Sequence, residues 1–526
     1  MSPSFTEISA EQLDALMARV TQAKAHQLTL SPEDCDLLLS ALVTLAGMQE
    51  KLSDNDITIS KLRKLVGIVQ SSETLKSAII RQSKPTKSRH TRQKPMVTPV
   101  KPEVRHHKHQ ELSKGVTCPE CHIGKLYKTD PATFLRITGQ SPLSPTQHVM
   151  ERLRCNTCGA YFTADVSAEV TQDGQLHQKY GYSARALMAI SKYYAGSPLF
   201  RQGSMQDLLG VSVTASTIFD QIEYLCKAVS PVFVQLMALA ADAHHYYLDD
   251  TTHRILDQGA VMKTSRDGKM RKRTGVYTSG VIATIKGEHQ IVLFKTNIGH
   301  AGEFIDEILN KRAASLPVPL LMSDALSHNQ PSETEVFASL CNSHARRQFY
   351  DVHSHFPEEV EWVIGEYGKI WEHDTQAHEK AMSAEQRRDY HRQYSLPVMT
   401  SIKHWGQTHL DNETVEHNSG LGKAIAYLNN HFDGLTTFCR IPGAQLDNNK
   451  MESQLKLVIR DRKNAMFRKT QAGADIGDVI TSLIATCAEA GINVFDYFIR
   501  LQREHEKVKL NPRHYLPWDI KPPLPD

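Results

Sequence analysis

No part of this 526-residue chain is a long, uninterrupted apolar run. The most apolar stretch, residues 229–241, is short for a bilayer and carries Pro231 and Gln235, so no membrane span is expected. The N-terminus, Met1-Ser2-Pro3-Ser4-Phe5-Thr6-Glu7, has neither a basic start nor an apolar core, which argues against a cleaved secretion signal. Charge of one sign is scarce: 61 Lys and Arg face 58 Asp and Glu, a net charge of +3, so bulk electrostatics do not announce a nucleic-acid partner. Cysteine is too sparse for a disulfide scaffold. Five of the nine stand alone, at 35, 226, 341, 439 and 487, which suits a reducing cytoplasm. Length and an apolar content of 40% leave room for about three or four domains.

What the chain does contain is locally concentrated. Cys118-Pro119-Glu120-Cys121 and Cys155-Asn156-Thr157-Cys158 are two Cys-x-x-Cys knuckles separated by 33 residues (122–154). Four thiolates fill a tetrahedral Zn²⁺ shell with no open position, which predicts a structural zinc segment over residues 116–165; a redox dithiol is the alternative for either pair alone. His122 is expected beside the ligand set and not in it. Residues 81–115 form a basic flexible linker: between 81 and 108, Arg81, Lys84, Lys87, Arg89, Arg92, Lys94, Lys101, Arg105 and Lys108 oppose only Glu103, among four prolines. Such a segment can track phosphates, or serve as a solvated spacer.

Residues 1–80 read as helical. Leu38, Leu45, Leu52, Ile59 and Val66, with Ala41, Met48, Asn55, Leu62 and Val69 three positions on, make an a/d heptad register that predicts a coiled coil and a homo-oligomer. A hairpin burying the same stripe within one chain is the alternative. Residues 175–240 also read as helices, with a glycine turn at Gly210 and a cap at Ser212 or Thr214. That pattern fits a helix-turn-helix or an ordinary scaffold.

From residue 241 to 480 the pattern alternates between strands and helices. Asp249 follows the apolar run Tyr246-Tyr247-Leu248, Asp324 follows another at 318–323, and Glu452 opens a helical stretch after Leu446-Asp447-Asn448-Asn449. Each aspartate is expected to close its strand. Carboxylates on separate elements can converge on two Mg²⁺ (or Mn²⁺) ions, the arrangement that serves phosphodiester chemistry. Strands at 276–285 and 290–295, a helix at 301–314 and a further strand into Asp324 match the order of a ribonuclease-H-like sheet. The predicted architecture is a multidomain α/β protein whose ribonuclease-H-like catalytic core carries a helical insertion at about 345–440. A C-terminal helix and tail fill residues 481–526.

The wording around the carboxylates is more specific than their spacing. Asp249-Asp250-Thr251 with His253, Cys341-Asn342-Ser343-His344-Ala345-Arg346-Arg347, and Asp447-Asn448-Asn449-Lys450-Met451-Glu452 resemble, in order, signatures of the insertion-sequence-66 family of bacterial transposases. Arg460-Asp461-Arg462-Lys463-Asn464 with Phe467, Ser482-Leu483-Ile484-Ala485-Thr486 with Gly491, and Leu516-Pro517-Trp518 extend the likeness towards the C-terminus. The chain departs from the family at Asp250, where a Glu is usual, and at Ala325-Leu326, where Gly-Tyr is usual. Asp250 thereby rivals Asp249, and Asp306 is a weaker rival of Asp324.

The resemblance implies a DNA transposase that cleaves and transfers strands through Asp249, Asp324 and Glu452. It implies partners in the element's terminal inverted repeats, in target DNA and in accessory proteins of the same element, with the zinc segment binding element ends in the bacterial cytoplasm, at the nucleoid. A nuclease of the same fold and a zinc-containing DNA-binding regulator are the competing readings. Candidate DNA contacts are Lys269, Arg271, Lys272 and Arg273 in a basic loop, Arg346 and Arg347 beside His344, and Lys456, Arg460 and Lys463 beyond Glu452. On a helix, Glu452, Lys456 and Lys463 fall within about 40° of one another.

Overall fold

The computed structural model describes residues 178–264 and 270–519 continuously, and shorter pieces between 16 and 176. The chain forms two compact units, Met1–Arg92 and Gln93–Asp526. In the first, Leu16 is buried and Arg19 pairs with Asp34 at 2.8 Å, while Ser31 Oγ accepts the Asp34 N–H. The heptad positions, the basic stretch 81–108 and the four knuckle cysteines lie outside the described residues. On either side of the knuckles in the second unit, Thr117 bridges Lys125, and β1 (Arg152–Arg154) pairs antiparallel with β2 (Tyr161–Thr163).

A mixed five-stranded sheet centres the second unit. Its middle strand is β3 (His245–His253). Next come β4 (Val261–Thr264) and β5 (Met270–Arg273), a separate two-stranded ribbon standing where the sequence suggests only a basic loop. β6 (Val276–Thr284) and β7 (Gln290–Asn297) add antiparallel on one side of β3; β8 (Leu320–Ser323) and β9 (Phe337–Leu340) add parallel on the other, giving the order β7-β6-β3-β8-β9.

The strand alternation divides the sheet's side chains between two cores. Tyr246, Leu248, Val281, Leu293 and Leu321 face the helices Ala215–Ala240 and Ala301–Leu309. Tyr247, Ile282, Val292, Phe294 and Met322 face the helix Asn449–Ala465. Both faces are covered, which explains the nearly continuous apolar strands.

The helix Ala215–Ala240 continues through Pro231. Pro231 has no N–H to give the Lys227 carbonyl one turn back, and beside it the Ser230 hydroxyl donates to the Cys226 carbonyl at 2.7 Å. By length and hydropathy this helix could cross a membrane. Here Ile218, Ile222, Leu225, Val229, Val232 and Leu236 form one fully buried stripe against the sheet and its helices. Thr214 caps it by accepting the Thr217 N–H, and Gly210 (φ +81°) supplies the left-handed turn after the helix Leu199–Leu208.

β7 is an edge strand, whose outward N–H groups need partners. The helix Gln471–Ala490 supplies them: Asp478, Ser482 and Thr486, one per turn, accept from the N–H groups of Thr296 (2.6 Å), Phe294 (2.9 Å) and Val292 (3.0 Å). Four residues of helix and two of strand both advance about 6 to 7 Å, so the spacings match.

Between β9 and Asn449 lies a helical subassembly, Asn342–Tyr350, Pro357–Glu379, Ala384–Asp411 and Gly420–Asn430. It has its own core of Val363, Tyr367, Ile370, Met399, Ile402 and Leu428. Ser383 and Gln386 cap its longest helix reciprocally. Partly buried Asp374 ties two helices together through Arg387 at 2.6 Å and His391 at 3.1 Å.

Candidate active site

Asp249 and Asp324 meet through strand register. Tyr247 pairs with Met322 in the parallel β3–β8 ladder. Two residues further along each chain stand Asp249 and Asp324, on the face shared by Tyr247 and Met322. Asp249 does not close its strand as the apolar run suggests. β3 continues to His253 because β6 pairs with it all the way from Thr284 back to Val276; only β8 stops, at Ser323. Asp324 is buried just past that end, its Oδ1 accepting from Asn329 Nδ2 (2.7 Å) and the Leu326 N–H (3.2 Å).

The third carboxylate arrives on a helix. Asn449–Ala465 lays Met451, Leu455 and Val458 against this face of the sheet, with Ile459 partly buried, and Glu452 sits in its first turn. Close approach is possible because the residue opposite Asp249 on β6 is Gly280, over which Met451 lies. Asn448, wholly buried at the head of the helix, donates from Nδ2 to the Leu248 carbonyl at 2.9 Å. The helix is thereby anchored one residue before Asp249.

Asp324 and Glu452 both lie within electrostatic reach of Asp249. Burial pushes the Asp249 carboxyl up to about 7, and the negative charges of Asp324, Glu452 and Asp250 add to it, against the Asp250 N–H that stabilises its charge. Glu452 Oε1 lies 3.7 Å from His344 Nδ1, and Oε2 lies 3.9 Å from Arg347 Nη2. Both Glu452 Oε1 and His344 Nδ1 are buried with no hydrogen-bond partner. With Cys341 Sγ they form a group of donor atoms within 4.8 Å of one another. In the sequence, Cys341 and His344 alone are too few for a metal site; the fold brings Glu452 to them. The Cys341 thiol is pushed up to about 12, chiefly by burial, and is therefore neutral.

The rival acids have other partners. Asp250 points to the opposite face, 3.1 Å from His300 Nδ1. Asp306 accepts from the N–H groups of Ser332 and Glu333, pinning that loop to its helix. Among the candidate DNA contacts, Arg271 and Lys272 are exposed on β5, whereas Arg273 pairs with Glu303 at 2.6 Å, which also takes Lys263. Lys269 is outside the described residues. Arg346 is half-buried and Arg347 exposed. Lys456 and Lys463 are exposed along the Glu452 helix. Arg460 donates to the Tyr194 carbonyl, with its guanidinium 5.5 Å from the Tyr194 ring. The motif residue Asp461 is buried between Lys192 and Arg468, bracing the helix from behind. Arg462 holds Thr251 and the Thr252 carbonyl, a contact that spacing alone does not signal.

A family model described as Transposase IS66 family matches residues 177–476, more than half of the chain and the whole of this site. The chain is similar to the uncharacterized protein y4hP of Sinorhizobium fredii, at 23% identity over 488 residues, covering 88% of this chain and 83% of the relative. It is also similar to the uncharacterized protein y4jD of the same organism, at 25% identity over 333 residues, covering 60% of this chain and 61% of the relative. With the matched segment spanning the sheet, both aspartates and the Glu452 helix, the chain belongs to the IS66 family of transposases.

Proposed function

We propose that this transposase cleaves and joins DNA at Asp249, Asp324 and Glu452, in the manner of the carboxylate-triad enzymes, on a ribonuclease-H-like core. The observation that carries the reading is the convergence of the three acids from β3, the end of β8 and a helix, close enough that Asp324 and Glu452 raise the Asp249 pKa. Three antiparallel strands, a helix and two parallel strands in the order β7-β6-β3-β8-β9 support the assignment of the core.

The donor set fits a divalent cation. Glu452 Oε1 is buried without a partner, and burial, with the charges of Asp324 and Glu452 added, pushes the Asp249 carboxyl up to about 7, a penalty that a bound cation would relieve. Asp249, Asp324 and Glu452 would hold Mg²⁺ or Mn²⁺, which when bound activates the attacking oxygen and stabilises the leaving oxygen of a phosphodiester. Around them the chain supplies positioning and charge. Asn329 orients Asp324, Arg347 and His344 flank Glu452, and Lys456 and Lys463 line the same helix face for the DNA backbone. Arg271 and Lys272 on the ribbon add phosphate contacts. Cys118, Cys121, Cys155 and Cys158 would hold a structural Zn²⁺, residues 38–69 would join copies of the chain, and the partners are element ends and target DNA in the cytoplasm.

Purified Asp249→Asn, Asp324→Asn and Glu452→Gln should bind a cognate element end but fail to cleave it in Mg²⁺. Cleavage near the parent rate by the Glu452→Gln protein would exclude Glu452. Covalent joining of the donor end to target DNA by the parent separates a transposase from a nuclease.

A further inference from the structure

Two buried residues, neither of them acidic, touch the backbone beside all three carboxylates. Cys341 donates its N–H to the Ser323 carbonyl at 2.9 Å, one residue before Asp324. Its Sγ accepts the Asn448 N–H at 3.2 Å. Asn448 donates from Nδ2 to the Leu248 carbonyl at 2.9 Å, one residue before Asp249, and its own carbonyl accepts the Glu452 N–H at 3.2 Å. A continuous chain of hydrogen bonds therefore runs from the end of β8, through the thiol and the amide, to β3 and to the first turn of the Glu452 helix. Cys341 is 1% exposed and Asn448 wholly buried, so water does not compete for these bonds.

We infer that Cys341 and Asn448 act as a positioning clip that sets the spacing of Asp249, Asp324 and Glu452 for a divalent cation. The inference rests on the triad reading above. The geometry distinguishes this pair from the packing around it. Met451 and Leu455 hold the helix against the sheet but tolerate sliding, because apolar contact is not directional. Hydrogen bonds are directional, and these fix the helix start along the strand axis as well as its height above the sheet. Groups that orient metal ligands commonly influence metal affinity by about 10- to 100-fold.

The test is Mn²⁺ affinity, followed by electron paramagnetic resonance on the full-length, zinc-loaded protein, beside the thermal midpoint. Asn448→Ala and Cys341→Ala should each weaken Mn²⁺ binding by about tenfold or more. Cys341→Ser, which retains an acceptor, should restore most of the affinity. Gln502→Ala is the control, since Gln502 is also a buried amide, donating to the Tyr182 and Phe498 carbonyls at 3.0 Å, far along the chain from the carboxylates. It should lower the midpoint and leave Mn²⁺ affinity at the parent value. A clip that is only structural would make the Asn448 and Cys341 variants behave like the control, and that result overturns the inference. Glu452→Gln separates the two readings. If it binds Mn²⁺ like the parent, the triad itself is wrong; if it loses Mn²⁺ while both clip variants keep parent affinity, the triad stands and the clip falls. Should Asn448→Ala fail to fold, Cys341→Ala decides alone, because it removes one acceptor and leaves the Asn448 contact to Leu248 in place.

Discussion

Gly280 lies directly beneath Met451: a Cβ at position 280 would collide with the Met451 methyl and crowd Phe294 and Leu455. Because Gly280 is also the cross-strand partner of Asp249, its missing side chain leaves the space that the Met451 side chain of the Glu452 helix fills at the level of that aspartate.

Gly280→Val should therefore displace the helix that carries Glu452. Overpacking of this kind costs about 1 to 3 kcal/mol, read as a shift of the denaturant midpoint at constant slope. Cleavage at a temperature where the variant remains folded should fall much further than stability does. Parent-like cleavage by a folded Gly280→Val protein would show that helix height above the sheet does not matter.

Asp461 is a second support of the same helix, buried with Lys192 on one side and Arg468, at 2.5 Å, on the other. Asp461→Asn leaves two cations without their counter-charge, a defect that typically costs about 3 to 5 kcal/mol. Chemical denaturation should show a loss of that size, whereas a change below about 1 kcal/mol, the range of an exposed pair, would mean that water reaches the cluster.

Asp374 gives the helical subassembly an acid-sensitive joint. Burial alone would raise its pKa, but the His391 hydrogen bond and the Arg387 charge prevail and hold it at about 2, below the ordinary 3.8. A depressed carboxylate stabilises the fold fully above the unfolded value and loses that contribution as pH falls from about 4 through about 2. The contribution is about 2 kcal/mol. Asp374→Asn should flatten the decline in stability over that window, and an unchanged slope would assign the acid sensitivity elsewhere.

The zinc assignment is independent of the catalytic one. Protein made with ample metal should contain about one Zn²⁺ per chain, and Cys118→Ser with Cys155→Ser should remove it. Metal analysis finding none in the parent, or the same amount in the double variant, would discard a Cys₄ site.

Local order explains what is readable from the chain alone. Alternating and continuous apolar runs mark β3, β6, β7 and β8, and the period of Leu455, Val458 and Ile459 marks a helix, because each pattern is set by geometry within a few residues. The two-residue alternation of a strand predicts that Asp249 and Asp250 part to opposite faces. Motif wording singles out Asp249 and Glu452 and points to the family that residues 177–476 match, whereas Asp324 is marked by the apolar strand pattern that precedes it. Strand ends are less legible: β3 outruns its apolar run because β6 continues to offer partners.

Tertiary structure alone decided who meets whom. Asn448 reaches Leu248 across 200 residues of sequence, and Asp478 reaches Thr296 across 182. Neither partner carries any local mark of the other. Glu303 takes up Lys263 and Arg273, which in the sequence look as available to DNA as Arg271 and Lys272. Composition and period specify what each segment can do, whereas charge neutralisation, carboxylate pKa and the Cys341–Asn448 contact depend on distances that exist only once the sheet has closed against its helices.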